Sequence, residues 1–250
     1  MFGADVHAYL RSAAGARARR RGPFTIRLDE HNDALPFNYA IPDDDADPTE
    51  NQVAALVSAF RERARTPRLE YVPQAAPKVE GALLAAGFTV EGRYPLLVCP
   101  PDEVVDTPVD PTVRIELVTT DAGLWQVAHV MNAAFEAPEA NEYDVARLRR
   151  ILDGGGIVAA VVDTTTADVV GAGQTGSPYQ GVAEVASIAV RVSHRRRGIG
   201  GAVTALLTRA GADAGITIPF LTPADDDAAR VYARVGYRKV GEALHISLRA

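Results

Sequence analysis

Arg195-Arg196-Arg197-Gly198-Ile199-Gly200-Gly201 is the stretch of this sequence that decides the fold. It follows an alternating apolar run, 185–192, and precedes a run with helical spacing, 202–210. A strand that leads through glycines into a helix presents unpaired backbone N–H groups and the positive end of the helix dipole. Glycines let the backbone approach a phosphate closely, and arginines add forked donors. The pattern therefore predicts a turn that binds a diphosphate mostly through its backbone.

Two common phosphate-binding motifs do not fit this stretch. A P-loop requires Lys after its last glycine, whereas Gly200 is followed by Gly201. A dinucleotide fingerprint requires Gly-x-Gly-x-x-Gly, whereas the order here is Arg195-x-x-Gly198-x-Gly200. This order resembles the signature of the GNAT N-acetyltransferase superfamily, whose ligand is acetyl-coenzyme A.

A second stretch supports the same resemblance. The downstream helix motif of that superfamily reads approximately Asn-x-x-Ala-x-x-x-Tyr-x-x-x-Gly-Phe, and the chain has Ala228, Tyr232, Gly236 and Tyr237 at that spacing. Asp225 stands where asparagine is usual, and an ionised carboxylate accepts hydrogen bonds but donates none. The resemblance extends over residues 113–248, just over half of the chain.

The resemblance implies acetyl-coenzyme A as the acyl donor. It also implies that the strand before the turn separates from its neighbour and pairs with the pantetheine arm, while the turn holds the diphosphate. The implied cofactor-binding residues are Ile188, Ala189, Val190, Val192, Arg195, Arg196, Arg197, Gly198, Ile199, Gly200, Gly201 and Asp225.

Acetyl transfer to an amine needs a base for the amine proton, donors for the carbonyl oxygen and an acid for the leaving thiolate. Tyr232 is the predicted acid, because a phenol with a pKa of ~10 suits a thiolate; the alternative is a tyrosine that only packs. Backbone N–H groups near Val190 are expected to face the carbonyl oxygen. Glu184 is the predicted base, since period-two alternation puts it on the same strand face as Val190. A solvated glutamate, His194 and His245 are the alternatives.

Composition narrows the functional class. A net charge of −6 gives no general attraction to nucleic acid or anionic membranes, and no apolar run reaches the length of a membrane span. The single cysteine, Cys99, excludes an internal disulfide and favours a reducing, cytoplasmic location, and its apolar context predicts burial. No Cys/His cluster has metal-ligand spacing. We expect no metal, no nucleic-acid or membrane partner, and a monomer or homodimer.

Two further features concern histidine and arginine. His129 lies beside the apolar face of a predicted helix, 121–135, and is interpreted as a core histidine. A basic run at 17–21 ends a predicted helix over 5–21 and is interpreted as a solvated surface.

The segment 100–111 contains four prolines and predicts a linker. After it, the pattern predicts the order β-α-α-β-β-β-α-β-α-β, with a strand at 183–192 and helices at 202–214 and 226–235. We therefore expect a mixed α/β fold with a mostly antiparallel, GNAT-type sheet flanked by helices.

The first half of the chain contains a weak copy of the second. Gly87-Phe88 follows a helical run as Gly236-Tyr237 does, but Leu83 stands where Tyr232 stands. No Arg-x-x-Gly-x-Gly occurs before residue 100. An internal repeat explains this pattern. We predict two tandem domains, a degenerate GNAT-like domain at 1–105 and a catalytic domain at 106–250.

The predicted function is an acetyl-CoA-dependent N-acetyltransferase that acts on a primary amine of a small molecule. The alternatives are a protein acetyltransferase, acting on lysine or an N-terminus, and a non-catalytic acetyl-CoA sensor or scaffold. The resemblance places the acceptor site at 124–152, and three carboxylates within 135–142 are candidates to hold a cationic amine.

Overall fold

The computed structural model describes residues 2–15 and 18–249. The helices are α1 (Phe2–Ala13), α2 (Glu50–Arg61), α3 (Val79–Ala85), α4 (Asp121–Ala134), α5 (Glu142–Asp153), α6 (Ile199–Asp213) and α7 (Asp226–Val235). The strands are β1 (Arg19–Arg21), β2 (Phe24–Arg27), β3 (Tyr39–Pro42), β4 (Arg68–Tyr71), β5 (Thr89–Val98), β6 (Val113–Leu117), β7 (Val158–Asp163), β8 (Val169–Thr175), β9 (Val182–Val190), β10 (Ile218–Leu221) and β11 (Arg238–Ser247).

The element order from β6 to β11 is the one that the sequence predicted, and the helix at 226–235 has the predicted bounds. The class is a mixed α/β fold with a mostly antiparallel sheet flanked by helices, as expected. Within the described residues, no helix combines the length and apolar character needed to cross a bilayer.

The chain divides into two compact units, Met1–Leu96 with Lys239–Ala250, and Leu97–Arg238. This division differs from the predicted boundary near residue 105, because β11 pairs with β4 and is thereby grouped with the first unit. β5 ends in the second unit, where Leu97 and Val98 pair with β10. The assignment of 1–105 and 106–250 as two tandem GNAT-like domains stays a prediction.

The second unit has hydrophobic cores on both faces of its sheet. Its strand order is β5-β10-β9-β8-β7-β6, and every pair is antiparallel except the parallel pair β9–β10. One core contains buried residues of α6 and α7. The other contains buried residues of α4 and α5. The single cysteine, Cys99, is buried in the α6–α7 core.

Helix α6 lies close to the sheet because β8 carries glycine beneath it. A Cβ added at Gly173 would lie 2.7 Å from both Ile188 Cδ1 and Val203 Cγ1. Glycine in a strand interior marks such close approach. The contact holds the start of α6 against the strand that precedes it in the sequence.

The first unit has a hydrophobic core formed by residues of α2, α3 and the strands β2, β3, β4 and β11. The predicted helix over 5–21 is wrong in its second half. α1 ends at Ala13, and Arg19–Arg21 form β1, which pairs antiparallel with β2. β1 and β2 form a hairpin around Gly22 and Pro23, and this pairing replaces the second half of the predicted helix. Residues 16 and 17 lie outside the described residues.

Candidate functional site

The parallel strands β9 and β10 separate after three paired residues. Their register runs from Ile218 beside Val182 to Phe220 beside Glu184, and β10 ends one residue later. From Val185 onward, β9 pairs only with β8 in the described register. The expected separation is therefore present. It leaves one backbone edge of β9 available to a ligand, since backbone N–H and C=O groups need partners.

A β-bulge interrupts β9 within this separated part. The register with β8 shifts between Ala186 and Ala189, and Ser187 has a φ of 54°. Val185 packs in the α6–α7 core, and so do Ile188 and Val190 on the other side of the bulge. Strand alternation then turns Glu184 to the opposite face, toward the α4–α5 core. The prediction that Glu184 and Val190 share a face is wrong, because period-two counting assumes no bulge.

The glycine turn forms the N-terminus of α6. The helix begins at Ile199, three residues before the predicted start, and Gly198 is its N-cap with a φ of 76° and no side-chain capping bond. Its first N–H groups point out of the helix end without an internal acceptor. β9 ends at Val190, two residues before the predicted end, so Val192 lies in a 3₁₀ turn rather than in the strand.

The three arginines of the turn point in different directions. Arg195 Nε donates to the Val190 carbonyl at 3.3 Å. The Arg197 guanidinium donates to the Ser193 carbonyl at 3.2 Å and lies 3.6 Å from an Asp110 carboxylate oxygen. Arg196 has a φ of 64° and is exposed, and its guanidinium forms no ion pair with the residues that the structure describes. Arg196 is therefore a free cation beside the turn.

Tyr232 lies on α7 and packs against the core that also contacts Ile188 and Val190. Burial raises the pKa of its phenol, and the Asp225 carboxylate raises it further. Asp225 is the N-cap of α7, since its carboxylate accepts from the Ala228 N–H at 2.8 Å. This capping bond gives a structural reason for an acidic residue at that position.

The histidines occupy three different environments. His194 Nε2 lies 3.1 Å from an Asp163 carboxylate oxygen, and this bond with nearby backbone N–H groups lowers the pKa of Asp163 to about 2. His129 is exposed on α4 with its ring 5.9 Å from that of Trp125, so its prediction as a core histidine is wrong. His129 lies between the buried residues Ala128 and Val130 in the sequence, and the helical repeat places it outside the buried face of α4. His245 lies in the first unit, beside Glu70 in the register of β4 and β11.

A groove of about 540 Å³ lies beside α4 in the second unit. Its lining is mostly exposed, and it carries two carboxylates, Glu139 and Asp168, together with the cation of Arg191. Glu139 belongs to the acidic stretch that the sequence offered as an acceptor site. Asp168 and Arg191 were not predicted, because only the pairing of β8 with β9 brings these distant residues to one end of the sheet. The other polar lining residues are Gln126, His129 and Asn132.

The corresponding turn of the first unit is acidic, and its polar groups are bound by residues of the same unit. It connects β3 to α2, as the glycine turn connects β9 to α6, and it carries Asp43, Asp44, Asp45 and Asp47. The N-terminus of α2 is satisfied by a capping box of Thr49 and Gln52. Three of the carboxylates are paired with cations of the same unit, at 2.6 Å for Asp43 with Arg20, 2.8 Å for Asp44 with Arg11 and 2.5 Å for Asp47 with Lys78.

Comparisons with known proteins agree with this geometry. The sequence profile described as "Acetyltransferase (GNAT) family" matches residues 124–237, which include the separated strand, the glycine turn and all of α7. The chain carries a GNAT acetyltransferase domain. Among curated protein sequences, none matches the chain significantly.

Solved structures share the fold along most of the chain. A GCN5-related N-acetyltransferase from Kribbella flavida has a TM-score of 0.80 at 23% identity and covers 99% of this chain and 96% of its own. One from Sphaerobacter thermophilus has a TM-score of 0.65 at 12% identity, over 90% of this chain and 76% of its own. A tandem GNAT protein from the clavulanic acid biosynthesis pathway has a TM-score of 0.63 at 14% identity, over 90% of this chain and 78% of its own.

The GNAT domain indicates an acyltransferase, and acetyl-coenzyme A is the usual donor of that family. The residues present suit such a ligand, because the turn offers uncapped N–H groups and the separated strand offers an unpaired backbone edge. Within residues 2–15 and 18–249, no group of three His, Cys, Asp or Glu side chains is arranged for a metal ion.

Proposed function

We propose that the protein is an acetyl-CoA-dependent N-acetyltransferase that acetylates a primary amine of a small molecule. The observation that carries the proposal is the separation of β9 from β10 after Glu184, directly before the uncapped glycine turn. A pantetheine arm contains amides that pair with a free strand edge, and a diphosphate suits a helix N-terminus. No comparable pairing of an open edge with an uncapped helix occurs at α2, which its capping box closes within the described residues.

In the proposed reaction the amine nitrogen attacks the thioester carbonyl carbon, a C–N bond forms and the C–S bond breaks. Tyr232 gives its phenolic proton to the departing thiolate. Its raised pKa keeps the phenol protonated at neutral pH, as a general acid requires. Backbone N–H groups of the separated part of β9 donate to the carbonyl oxygen as negative charge develops on it.

Glu184 takes the amine proton in this proposal. It is the last residue of β9 that pairs with β10, so it lies where the gap between the strands begins. The bulge turns its side chain toward the α4–α5 face, whereas Tyr232 packs against the opposite core. The base and the acid then approach the gap from opposite faces of the sheet, and the amine is deprotonated on the side away from the leaving thiolate.

The groove beside α4 is the proposed acceptor site. It lies on the α4 side of the sheet, at the end of β8 and β9 opposite to Glu184, so we assign it to the part of the acceptor farthest from the reacting amine. Its volume falls within the range of small-molecule pockets, ~300–1,000 Å³. Glu139 and Asp168 are suited to a second cationic group of that molecule, and Arg191 is suited to an anionic one. The mixed charge favours a small amine with a second polar group over a uniformly basic peptide.

A thiol-release assay with acetyl-CoA and a panel of amines tests the proposal, with lysine peptides as a separate arm. We expect turnover with small amines and a fall in kcat of ~100-fold or more in Tyr232→Phe, with little change in the Kd for CoA. Glu184→Gln should remove the acidic limb of the pH–rate profile. Turnover on peptides alone would favour a protein acetyltransferase, and CoA binding without any turnover would favour a sensor or scaffold.

Tyr71→Phe is the matched control for Tyr232→Phe. The Tyr71 hydroxyl is buried in the first unit without a hydrogen-bond partner, so its removal leaves no donor or acceptor unsatisfied. We expect full activity and unchanged or slightly increased stability. Equal activity in Tyr232→Phe and Tyr71→Phe would remove Tyr232 from the mechanism.

Residues 1–105 are proposed to be a degenerate acetyltransferase half, and 106–250 the catalytic half. The order β3-α2-β4-α3-β5 repeats as β9-α6-β10-α7-β11, which supports an internal repeat. The acidic, self-paired turn before α2 supports the loss of cofactor binding in the first half.

A further inference from the structure

The segment predicted as a linker lies along α6. At one end, Arg209 donates to the Val104 carbonyl at 3.2 Å and pairs with the Asp106 carboxylate at 2.5 Å. At the other end, the Asp110 N–H donates to the Arg197 carbonyl at 3.1 Å. The segment therefore runs antiparallel to α6 and ends at the glycine turn. We refer to residues 104–112 as the brace.

The brace contacts the glycine turn at two of its glycines, Gly198 and Gly201. A Cβ added at Gly198 would lie 3.1 Å from the carbonyl carbon of Pro108 and closer still to its oxygen. A Cβ added at Gly201 would lie 3.0 Å from Thr107 Oγ1. At Gly200 the nearest atom is Ile188 Cγ2, at 3.8 Å. Two glycines thus make room for the brace, and the third lies against the separated strand.

Asp110 joins the brace to the turn through its backbone and its side chain. Its carboxylate accepts from the Thr112 hydroxyl at 2.6 Å and from the Thr112 N–H at 2.9 Å, and it lies 3.6 Å from the Arg197 guanidinium. These hydrogen bonds with Thr112, more than the Arg197 charge, lower the pKa of Asp110. Thr112 therefore fixes the orientation of the Asp110 carboxylate and favours its ionised form, independently of Arg197.

We propose that Asp110 is a positioning residue for the diphosphate of the acyl donor, acting through Arg197 to hold the turn in its binding conformation. This inference rests on the proposed function. The Arg197 carbonyl and guanidinium are both held on the brace side, which leaves the N–H groups that follow to face the ligand. A turn fixed in advance loses less conformational entropy when the ligand binds.

The test compares Asp110→Ala and Asp110→Asn with Asp106→Ala, which breaks the ion pair at the other end of the brace. The measurements are the Kd for CoA by calorimetry and the steady-state constants for acetyl-CoA and for S-acetylpantetheine, which has no diphosphate. We expect Asp110→Ala to raise the Kd for CoA and the KM for acetyl-CoA by roughly tenfold, with kcat retained. Its kcat/KM for S-acetylpantetheine should match that of the unmodified protein. For Asp110→Asn, the Kd for CoA and the KM for acetyl-CoA should lie between those of Asp110→Ala and those of the unmodified protein. Asp106→Ala should change neither the Kd for CoA nor the KM for acetyl-CoA.

A purely structural role for Asp110 would lower the activity with both donors equally, and that result would overturn the inference. Unchanged CoA affinity in Asp110→Ala would overturn it as well. If the unmodified protein bound no CoA, the proposed function would fail first and this inference with it. The binding of CoA to the unmodified protein therefore separates the two failures.

Discussion

The two strand-turn-helix segments of this molecule use the same architecture with opposite chemistry. The turn before α6 carries three arginines and a glycine N-cap that leaves the helix end open. The turn before α2 carries four aspartates within 43–47, and the end of that helix is closed by Thr49 and Gln52. An open helix N-terminus attracts anions, whereas a ring of carboxylates repels them. The comparison shows that one strand-turn-helix arrangement can carry turns of opposite charge, because the charge and the capping depend on a few residues in the turn.

The acidic turn also differs in what surrounds it. Three of its four carboxylates are paired with cations of the first unit, and Arg11 of α1 binds Asp44 through two hydrogen bonds of 2.8 Å. His7 of the same helix lies 3.1 Å from Asp44 and is fully buried. Helix α1 therefore packs against this turn. In the second unit, the turn is contacted by the brace and keeps exposed arginines on its surface.

The largest expected effect is a difference in binding stoichiometry. Calorimetry with CoA should give one site per chain, since of the two corresponding turns the one before α6 offers uncapped N–H groups and positive charge, whereas the one before α2 is capped and acidic. Binding should weaken with added salt, as expected for a phosphate held by exposed cations. A stoichiometry of two would contradict the assignment of the first half as degenerate.

The next largest effect concerns Gly198. Gly198→Ala places a side chain in a left-handed conformation and against Pro108, so the turn should relax away from its present conformation. We expect CoA affinity to fall by about tenfold or more, since restoring that conformation costs ~1–2 kcal/mol in backbone strain and further energy from the clash. Calorimetry measures the affinity, and circular dichroism checks the fold. The matched control is Gly81→Ala in α3, where an added Cβ meets nothing within 4 Å.

Gly198→Asn separates the two causes. Asparagine tolerates a positive φ better than alanine but carries the same Cβ. If contact with the brace dominates, the asparagine variant binds CoA as weakly as the alanine variant. Recovery of affinity in Gly198→Asn would show that backbone conformation alone requires glycine.

A smaller effect is expected in the pH dependence of stability in the first unit. Burial lowers the pKa of His7 to about 4, and it outweighs the nearby Asp44 carboxylate. The unfolded chain binds a proton at this site below pH ~6.5, but the folded chain does not until pH reaches about 4. The free energy of unfolding should therefore fall by ~3 kcal/mol as the pH is lowered through this window.

Urea unfolding at pH 7 and pH 4.5 measures this dependence. His7→Leu should lose most of the difference between the two pH values, whereas the exposed His31→Leu should retain it. An unchanged pH dependence in His7→Leu would assign the effect to other groups. Neither variant should alter the affinity for CoA, since both lie outside the second unit.

The smallest expected effect concerns Asp225. Its carboxylate contributes to the raised pKa of Tyr232, although burial contributes more. Asp225→Asn keeps a capping side chain but removes the charge, so the pKa of Tyr232 should fall toward its ordinary value. The alkaline limb of the pH–rate profile should then move to lower pH. A limb that stays in place would mean that another group supplies the proton.

The local geometry around the turn and α7 was predictable because its signals are local. The glycine turn and the helical spacing from Ala228 to Gly236 lie within short segments, where turn and helix geometry fix the relation between residues. The capping role of Asp225 was not predicted, since the resemblance assigned this residue to the cofactor. The position of Glu184 relative to Val190 was not predictable, because Ser187 carries no residue-type signal for a positive φ. The ion-pair partner of Arg197 was also not predictable from the sequence, since Asp110 lies 87 positions earlier (197 − 110), in a segment predicted to be a linker.

The sequence by itself determined the order of elements in the second half, the glycine and arginine content of the turn before α6 and the presence of a tyrosine on α7. These features follow from backbone periodicity and from glycine and capping chemistry, which act over a few residues. Only the tertiary structure decided which face Glu184 occupies, which residue restrains Arg197 and which cations pair with the carboxylates of the turn before α2. Those outcomes depend on strand register and on contacts between residues far apart in the chain, which no local pattern specifies.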